Sequence, residues 1–344
     1  MKRIYSLDLL RLYFAYVIAY HHFDYILAPG PTVTVQVFFL ISGFFLAKKF
    51  YSRSFGGGDY DQWRYTLDHA KSLYPHYLLS LTVFFCYTLA RAVLYWVLDP
   101  SWQGLHDIFL SFYDLIPELT LLQSAYHWYE SLNFPLWQLS ALLIAGYFVY
   151  GLLCWNEKLS RKLLFPAAIL MIQSLLYTGV DIWGNYGFFH IPLLRAFSPM
   201  CAGVLTYYFT TTEYYTRLKQ HKLFFNLAAI YALVTIIAYG EHNNIFLVTT
   251  PFLLWGCWEE GSWINMLLNH KLFRPCGSLA LAVYMNHAFL GRILRARVYM
   301  PLEAAGTPAP LWQQNLVYFL LVTAVSIATM LLTEKWKSRQ KAKA

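Results

Sequence analysis

The sequence predicts an all-α, polytopic membrane protein of about ten transmembrane helices with both termini in the cytoplasm. Three observations predict it. Of 344 residues, 58% are hydrophobic, 19% aromatic and only 13% charged, against about 25% charged in a soluble domain. Ten apolar stretches approach the roughly 17–25 residues that a helix needs to cross about 30 Å of hydrocarbon. The Lys and Arg residues fall in short runs between those stretches. The net charge of +8 could suggest nucleic acid. Clustered cations beside apolar segments instead face anionic headgroups, so membrane lipids are the expected partners and nucleic acid is not.

The predicted spans, in order, are 7–27, 33–50, 73–98, 133–155, 163–180, 189–210, 223–240, 244–258, 278–297 and 311–333. The eighth is short and the ninth is polar. Pro75, Pro135, Pro192 and Pro251 fall near helix starts or at kinks, which membranes tolerate. The first stretch contains Asp8, Arg11, His21, His22 and Asp24 and no small-residue cleavage site follows it, so it reads as a retained helix. Gly56-Gly57-Gly58 is a loop tip and not a phosphate loop, because no Gly-Lys-Ser/Thr follows. Residues 99–132 form the longest extracytoplasmic loop. That loop is acidic (Asp99, Asp107, Asp114, Glu118, Glu130) and aromatic (Trp102, Trp128), and 105–124 within it is amphipathic and suited to lie along the outer surface. Without an internal repeat, 1–344 reads as a single integral membrane domain ending in a basic cytoplasmic tail, 334–344. Cys86, Cys154, Cys201, Cys257 and Cys276 lack metal-ligand spacing, so buried free thiols and no metal are expected.

Charge sets the orientation. With the N-terminus inside, the inner segments collect Lys2 and Arg3; Lys48, Lys49, Arg53, Arg64 and Lys71; Lys158, Arg161 and Lys162; Arg217, Lys219 and Lys222; Lys271 and Arg274; and five cations of the tail. Arg11, Arg91 and Arg195 lie within spans. Only Arg292, Arg295 and Arg297 fall outside. The opposite orientation would reverse this bias.

Ionisable groups inside spans are costly and mark candidate sites. Arg11 and His22 are eleven residues apart, three turns, so they share one face of the first helix roughly 16 Å apart. Asp8 can pair with Arg11 at i,i+3. A desolvated histidine on the same face as a cation stays neutral and can accept a proton from a water-filled cavity. Alternatively it only bonds a neighbouring helix. His21 points about 100° away, and spacing alone does not choose between the two. In the second span, Ser42-Gly43 is a small notch between large side chains, suited to close helix packing or to a ligand. Lys48, Lys49, Arg64 and Lys71, followed by Tyr74-Pro75 at the start of the third span, suit a phosphate-bearing ligand from the cytoplasm or simple positive-inside anchoring. Ser278, Tyr284, Asn286 and His287 share one span, with Tyr284 and His287 on one face. Trp137-Gln138 and Arg195 add polar groups in two others. Together these patches suggest one central polar cavity.

Leu7-Asp8-Leu9-Leu10-Arg11 with His22, Phe38-Phe39-Leu40-Ile41-Ser42-Gly43-Phe44, Leu73-Tyr74-Pro75-His76-Tyr77, Pro135 to Leu142, Arg195 to Gly203 and Ser278 to His287 occur in this order. In that order and spacing the chain resembles the acyltransferase 3 family of bacterial integral membrane O-acyltransferases. The resemblance covers most of the chain. Lys71-Ser72 stands where the family usually shows arginines, and Leu142 where one large branch has Glu.

The resemblance implies transfer of an acyl group, usually acetyl from acetyl-CoA, to a hydroxyl of a cell-envelope glycan or lipid-linked sugar at the inner (cytoplasmic) membrane. It favours His22 over His21 as the catalytic residue, with Arg11 as its partner, and Asp8, which can pair with Arg11, completes the candidate catalytic set. It makes Ser42, Gly43, Lys48, Lys49, Arg64, Lys71 and Tyr74 candidate contacts for the coenzyme. Trp137, Gln138, Arg195, Tyr284 and His287 become candidates for the acceptor site. O-antigen, capsule, exopolysaccharide and peptidoglycan are all possible acceptors, succinyl is an alternative acyl group, and the oligomeric state stays open. The rival class is a transporter or flippase, in which intramembrane His and Arg serve a proton relay; the lack of an inverted repeat or paired broken helices argues against it.

Overall fold

The computed structural model describes residues 3–23, 30–54, 60–125, 133–179, 184–186, 189–238 and 245–343. Lys2, Asp24, the Gly56-Gly57-Gly58 tip, Trp128 and Glu130 lie outside the described residues, as do the side chains of Arg53, Asp114, Lys341 and Lys343 and the margins of several predicted spans.

The chain folds into helices. They are α1 (Tyr5–Phe23), α2 (Pro31–Ser54), α3 (Gln62–Leu98), α4 (Trp102–Thr120), α5 (Trp137–Leu159), α6 (Phe165–Tyr177) and α7 (Ile191–Phe209). They continue as α8 (Glu213–Gln220), α9 (Lys222–Ala238), α10 (Phe246–Trp258), α11 (Trp263–Leu268), α12 (Cys276–Leu294), α13 (Met300–Ala304) and α14 (Leu311–Lys343). Among the described residues, extended structure is confined to Asn185–Tyr186 paired antiparallel with Phe189–His190. A helix lies in each of the ten predicted spans. Four helical segments, Thr32–Ser52, Gln62–Leu98, Phe134–Tyr177 and Leu311–Arg339, are long and apolar enough to cross a bilayer. The α8–α9 pair, bent by 95°, makes a fifth if it is one span. The chain is therefore a multi-pass membrane protein. α10 has 13 residues, and α1, α7 and α12 carry the polar side chains that form the site.

Three boundaries differ from the sequence expectation. The third helix opens at Gln62 and not at Tyr74-Pro75. Asp61 caps it by accepting a hydrogen bond from the Arg64 amide at 2.9 Å, and a local cap of this kind leaves no hydropathy signal. Pro75 is thus interior. The fifth and sixth helices join through a five-residue π turn, Ser160–Leu164, just after non-helical backbone at Asn156 (φ −156°, ψ 92°). The basic tail continues α14 to Lys343.

The helices sort into inner and outer positions. The apolar windows of α2 and of the 134–177 segment are 61% and 67% buried, against 11% for α3 and 28% for α14. Two close crossings organise the interior. α2 meets α7 where Gly43 faces the Met200 backbone and Gly203 faces the Leu40 carbonyl and the Phe44 amide. A Cβ at either glycine would overlap main-chain atoms of the partner helix, so only glycine permits this approach. α1 runs along α12, and α14 covers their seam. There the Tyr318 hydroxyl shares its proton between the carbonyls of Ala19 (3.0 Å) and His287 (3.1 Å), and its ring stacks on Phe23 at 4.1 Å. α4 is the amphipathic helix expected in the 99–132 segment, and it packs on α3.

Gly43→Ala and Gly203→Ala are each expected to lower thermal stability in detergent, by about 1–3 kcal/mol of overpacking. Because both open the same gap, the double variant should cost less than the sum in a double-mutant cycle. Additive losses would mean that the two glycines do not share one contact.

Candidate functional site

Three cavities follow one another along α1. The widest, about 690 Å³, opens at the end of the bundle that carries the basic runs. Its cations are Arg3, Arg11, Lys48, Lys49 and Lys337, and its acids are Asp8 and Asp68. His69, Ser72 and His76 of α3 line one wall, and Ser278 of α12 joins them. The next cavity, about 230 Å³, shares Arg11, Ser42, His69, Gly277 and Leu281 with the first and adds Phe38, Phe39, Gln138 and Tyr284. The third, about 50 Å³, shares Tyr284 with the second. Its walls are His21, His22, Phe134, Pro135, Trp137 and Arg195, with Ile18, Thr32 and Val35. Arg11 and His22 thus mark opposite ends of one stripe of polar space, as their three-turn separation requires.

The basin is built on paired charges. Asp8 is buried and binds Arg3 at 2.6 Å, while Arg11 stands 3.9 Å away. The expected i,i+3 pair exists, but Arg3 is the closer partner and also donates to the Arg274 carbonyl at 2.6 Å. Gly277 admits this arrangement, because a Cβ there would press on the Asp8 carboxylate. Arg11 lies over the Phe45 ring at 5.3 Å. Lys48 lies over Trp258 at 4.1 Å, and Lys49 reaches Asp68 at 3.7 Å beside the Tyr60 and Tyr65 rings. Cation–π seating holds ammonium groups beside apolar walls, and Lys49 is paired with Asp68 as well. Lys337 crosses from α14 to the Ser72 carbonyl at 3.1 Å, and His76 bonds Thr333 of the same helix.

At the inner end, the His22 ring is held on several sides. The His287 ring stacks on it at 5.2 Å and 19°. Phe134 meets it edge to face at 4.9 Å, and His21 packs at 5.3 Å. His287 is fully buried, and its Nδ1 lies 2.7 Å from the Tyr284 carbonyl. A carbonyl only accepts, so Nδ1 carries the proton and Nε2, which has no partner, is the acceptor. The Tyr284 hydroxyl donates to the Pro135 carbonyl, fixing the one-turn 3₁₀ segment Phe134–Leu136 that leads into α5. Asn133 and Ser80 both donate to the Met285 carbonyl, at 3.0 and 2.8 Å. Gln123 donates to the Leu136 carbonyl at 3.2 Å, and Ser124 bonds Ser140 at 2.7 Å. These bonds cross-link a buried polar layer beside the Phe134–Leu136 turn, in which the Gln123 and Asn133 side-chain oxygens have no partner. Arg195 is 2% exposed and lies 5.4 Å from the centre of the Trp137 ring.

The candidate residues separate by place. His22, Trp137, Arg195 and Tyr284 meet in the innermost cavity, with His287 stacked behind His22. Arg11, Ser42 and Gln138 line the middle one. Asp8, Lys48 and Lys49 line the basin, and Asp8 sits about 21 Å along α1 from His22. The Gly43 notch is filled by α7, so Ser42 alone of that pair faces the cavities. Arg64, Lys71 and Tyr74 do not line the basin. The extra turns at the start of α3 put Arg64 and Lys71 on exposed faces, and the Tyr74 hydroxyl donates to the Leu119 carbonyl, tying α3 to α4. The sequence reading assigns no site role to His69, His76 or Lys337. The i,i+7 spacing of the two histidines places them on one face, a signal hidden because the third span was read from residue 73. Among the described residues, no three His, Cys, Asp or Glu side chains converge as a metal site.

A family model described as an acyltransferase domain matches residues 4–335. No curated protein and no solved structure matches the chain.

Tyr284→Phe leaves the buried Pro135 carbonyl without its donor and should cost about 1–3 kcal/mol in thermal unfolding. Tyr74→Phe removes a more exposed bond and should cost less. Equal losses would show that the Phe134–Leu136 turn is not held by Tyr284.

Proposed function

The chain belongs to the acyltransferase domain family, and from that premise we propose that it transfers an acetyl group from acetyl-CoA to a hydroxyl of a cell-envelope glycan or lipid-linked sugar. In this reading it sits in the cytoplasmic membrane, crosses it about ten times and keeps both termini in the cytoplasm. The observation that carries the reading is the file of cavities joining the cationic basin to the imidazole of His22.

The coenzyme's phosphates belong with Lys48, Lys49, Arg11 and Lys337, where charge-assisted bonds favour oxyanions. The pantetheine arm follows the middle cavity past Ser42 and Gln138 and brings the thioester towards His22. That cavity is lined by Phe38, Phe39, Leu139, Leu142 and Leu281, a wall suited to an alkyl chain and a thioester rather than to a sugar. The acceptor enters from the opposite side and lies between Trp137, Arg195 and Tyr284. A ring nitrogen of His22 takes the proton of the acceptor hydroxyl as its oxygen attacks the thioester carbonyl. The carbon–sulfur bond breaks, and the departing thiolate takes that proton from the imidazolium. Arg195 lines the same cavity as His22 and is the cation assigned to the negative charge on the carbonyl oxygen, which a fixed cation in a water-poor site stabilises strongly. Arg11 orients the donor from the other end of the stripe.

His22→Ala should reduce acetyl transfer at least about 10²-fold while the protein stays in the membrane. Mass spectrometry of envelope glycans, with and without the variant, reads the loss as a missing acetyl mass; full acetylation in the variant would refute the assignment. Lys48→Gln with Lys49→Gln should raise KM for acetyl-CoA about tenfold, the effect of roughly 1.4 kcal/mol, with little change in kcat, because phosphate contacts bind the ground and transition states alike. An unchanged KM would remove the basin from donor binding.

A further inference from the structure

Four arginines gather at the end of the bundle opposite the basin, where the overall charge pattern predicts few cations. The early turns of α3 and the start of α12 border the basin, at His69 and Gly277, so their later turns lie at the far end. There one stripe of α3 (Phe84, Tyr87, Arg91, Tyr95) runs against Phe289, Arg292 and Arg297 of α12 and the π turn that continues it. The contacts are specific. Phe289 packs on Phe84 at 5.1 Å and on Tyr87 at 5.5 Å. Arg292 lies over Phe84 at 5.6 Å and close enough to Arg91 for the two charges to oppose one another. Arg297 is flanked by Tyr87 and Tyr95. Arg295 extends the row by one turn from Arg292.

This cluster costs free energy as it stands. Like charges brought together repel, and among the described residues no carboxylate comes within 4.0 Å of Arg91, Arg292, Arg295 or Arg297. All four are exposed. Their surroundings are exposed too, and apolar: Val93, Leu94, Val97, Leu98 and Val298 are each about two-fifths or more accessible. The π turn at Arg295–Tyr299 re-aims side chains at the end of α12, and such turns recur at functional sites. Guanidinium groups are the side chains best shaped to take phosphate oxygens in pairs.

We propose that this α3–α12 arginine cluster is a binding site for an anionic phospholipid, its headgroup phosphate held by Arg91, Arg292, Arg295 and Arg297 and its acyl chains against the exposed apolar flank of α3. Both halves of the ligand are dictated by the surface. The unneutralised cations call for a phosphate, and the exposed valines and leucines beside them call for hydrocarbon. Tyr87 and Tyr95 meet Arg297, and Tyr95 is exposed beside the apolar flank, a placement typical of aromatic residues at a membrane interface. Arg292 follows His287 by five residues, about 7.5 Å along α12 and on a different face, and the site does not depend on the proposed acyl transfer.

The test uses the purified full-length protein in detergent, titrated with phosphatidylglycerol or phosphatidylcholine and read by native mass spectrometry. Phosphatidylglycerol should bind at least about tenfold tighter than phosphatidylcholine, as expected when cations near the surface each favour an anionic lipid. Arg91→Gln with Arg292→Gln should abolish that preference, and Arg295→Gln with Arg297→Gln should reduce it. Arg217→Gln in α8, an exposed cation elsewhere, should leave it unchanged. The preference should also fall as salt rises. Equal binding of the two lipids by the wild type would overturn the proposal, as would a preference that survives both double variants. Displacement of phosphatidylglycerol by an equimolar polyprenyl monophosphate would overturn the assignment to a phospholipid. No acyl transfer enters the readout, so failure here leaves the catalytic reading standing, and failure of His22→Ala to lose activity leaves this one standing.

Discussion

The packing of α1 along α12 is the constraint on which the remaining geometry depends. α1 brings Asp8, Arg11 and His22 into an apolar bundle, and α12 receives each part of that cargo differently. At the basin, Gly277 leaves room for the Asp8 carboxylate and its bond to Arg3. At the inner end, His287 supplies a flat ring against which His22 stacks. Between α1 and α12, Tyr318 of α14 bonds a carbonyl from each helix. Moving either helix by one residue would turn its polar stripe by about 100° and break all three contacts together. Ionisable groups inside a membrane protein are tolerated when they face a cavity or a partner, and this one interface provides both.

A second crossing sets where the cavities can lie. Gly43 and Gly203 bring α2 and α7 into main-chain contact, which fills the notch and leaves Ser42 on the cavity side. α7 then carries Arg195 to the far end of the file, beside Trp137 at the start of α5. The glycines do not contact a ligand in this arrangement. They bring α7, which bears the Arg195 guanidinium, against α2, which bears Ser42.

Much of this was legible in the sequence, and the exceptions have physical causes. The eleven-residue spacing of Arg11 and His22 fixes a shared face once α1 is helical, and Trp137, Arg195 and Tyr284 stand out as polar groups in apolar stretches. Periodicity could not supply partners across helices. The stack of His287 on His22 joins residues 265 positions apart, and Asp8 prefers Arg3, in the segment before the helix, over the i,i+3 partner that spacing suggests. Charge alone also could not show that Arg64 and Lys71 sit on exposed faces of α3. A cation near a membrane surface has the same sequence signature whether it lines a basin or faces solvent, and the difference lay in the turns of α3 before residue 73. His69 and His76 were missed for the same reason, and Lys337 because a basic tail gave no hint of a helix that returns to α3.

The way His22 is held limits how it can react. One face of its ring is covered by His287 and another side by Phe134, so a ligand cannot approach through the π system there. Reaction is left to the ring edge, where the nitrogens lie. His287 differs in being fully buried, with its Nδ1 proton committed to the Tyr284 carbonyl and its Nε2 enclosed without a partner. That same commitment fixes the plane of His287, and stacking passes the plane on to His22. The Tyr284 hydroxyl in turn ties α12 to Pro135, which sets the height of Phe134 against the other side. Tyr284 therefore restrains His22 twice, through its carbonyl by way of His287 and through its hydroxyl by way of the 3₁₀ turn. In the proposed reaction, an imidazole held in one plane between fixed walls would meet an incoming hydroxyl along a narrow range of directions, and such preorganisation lowers the orientational cost of a transfer.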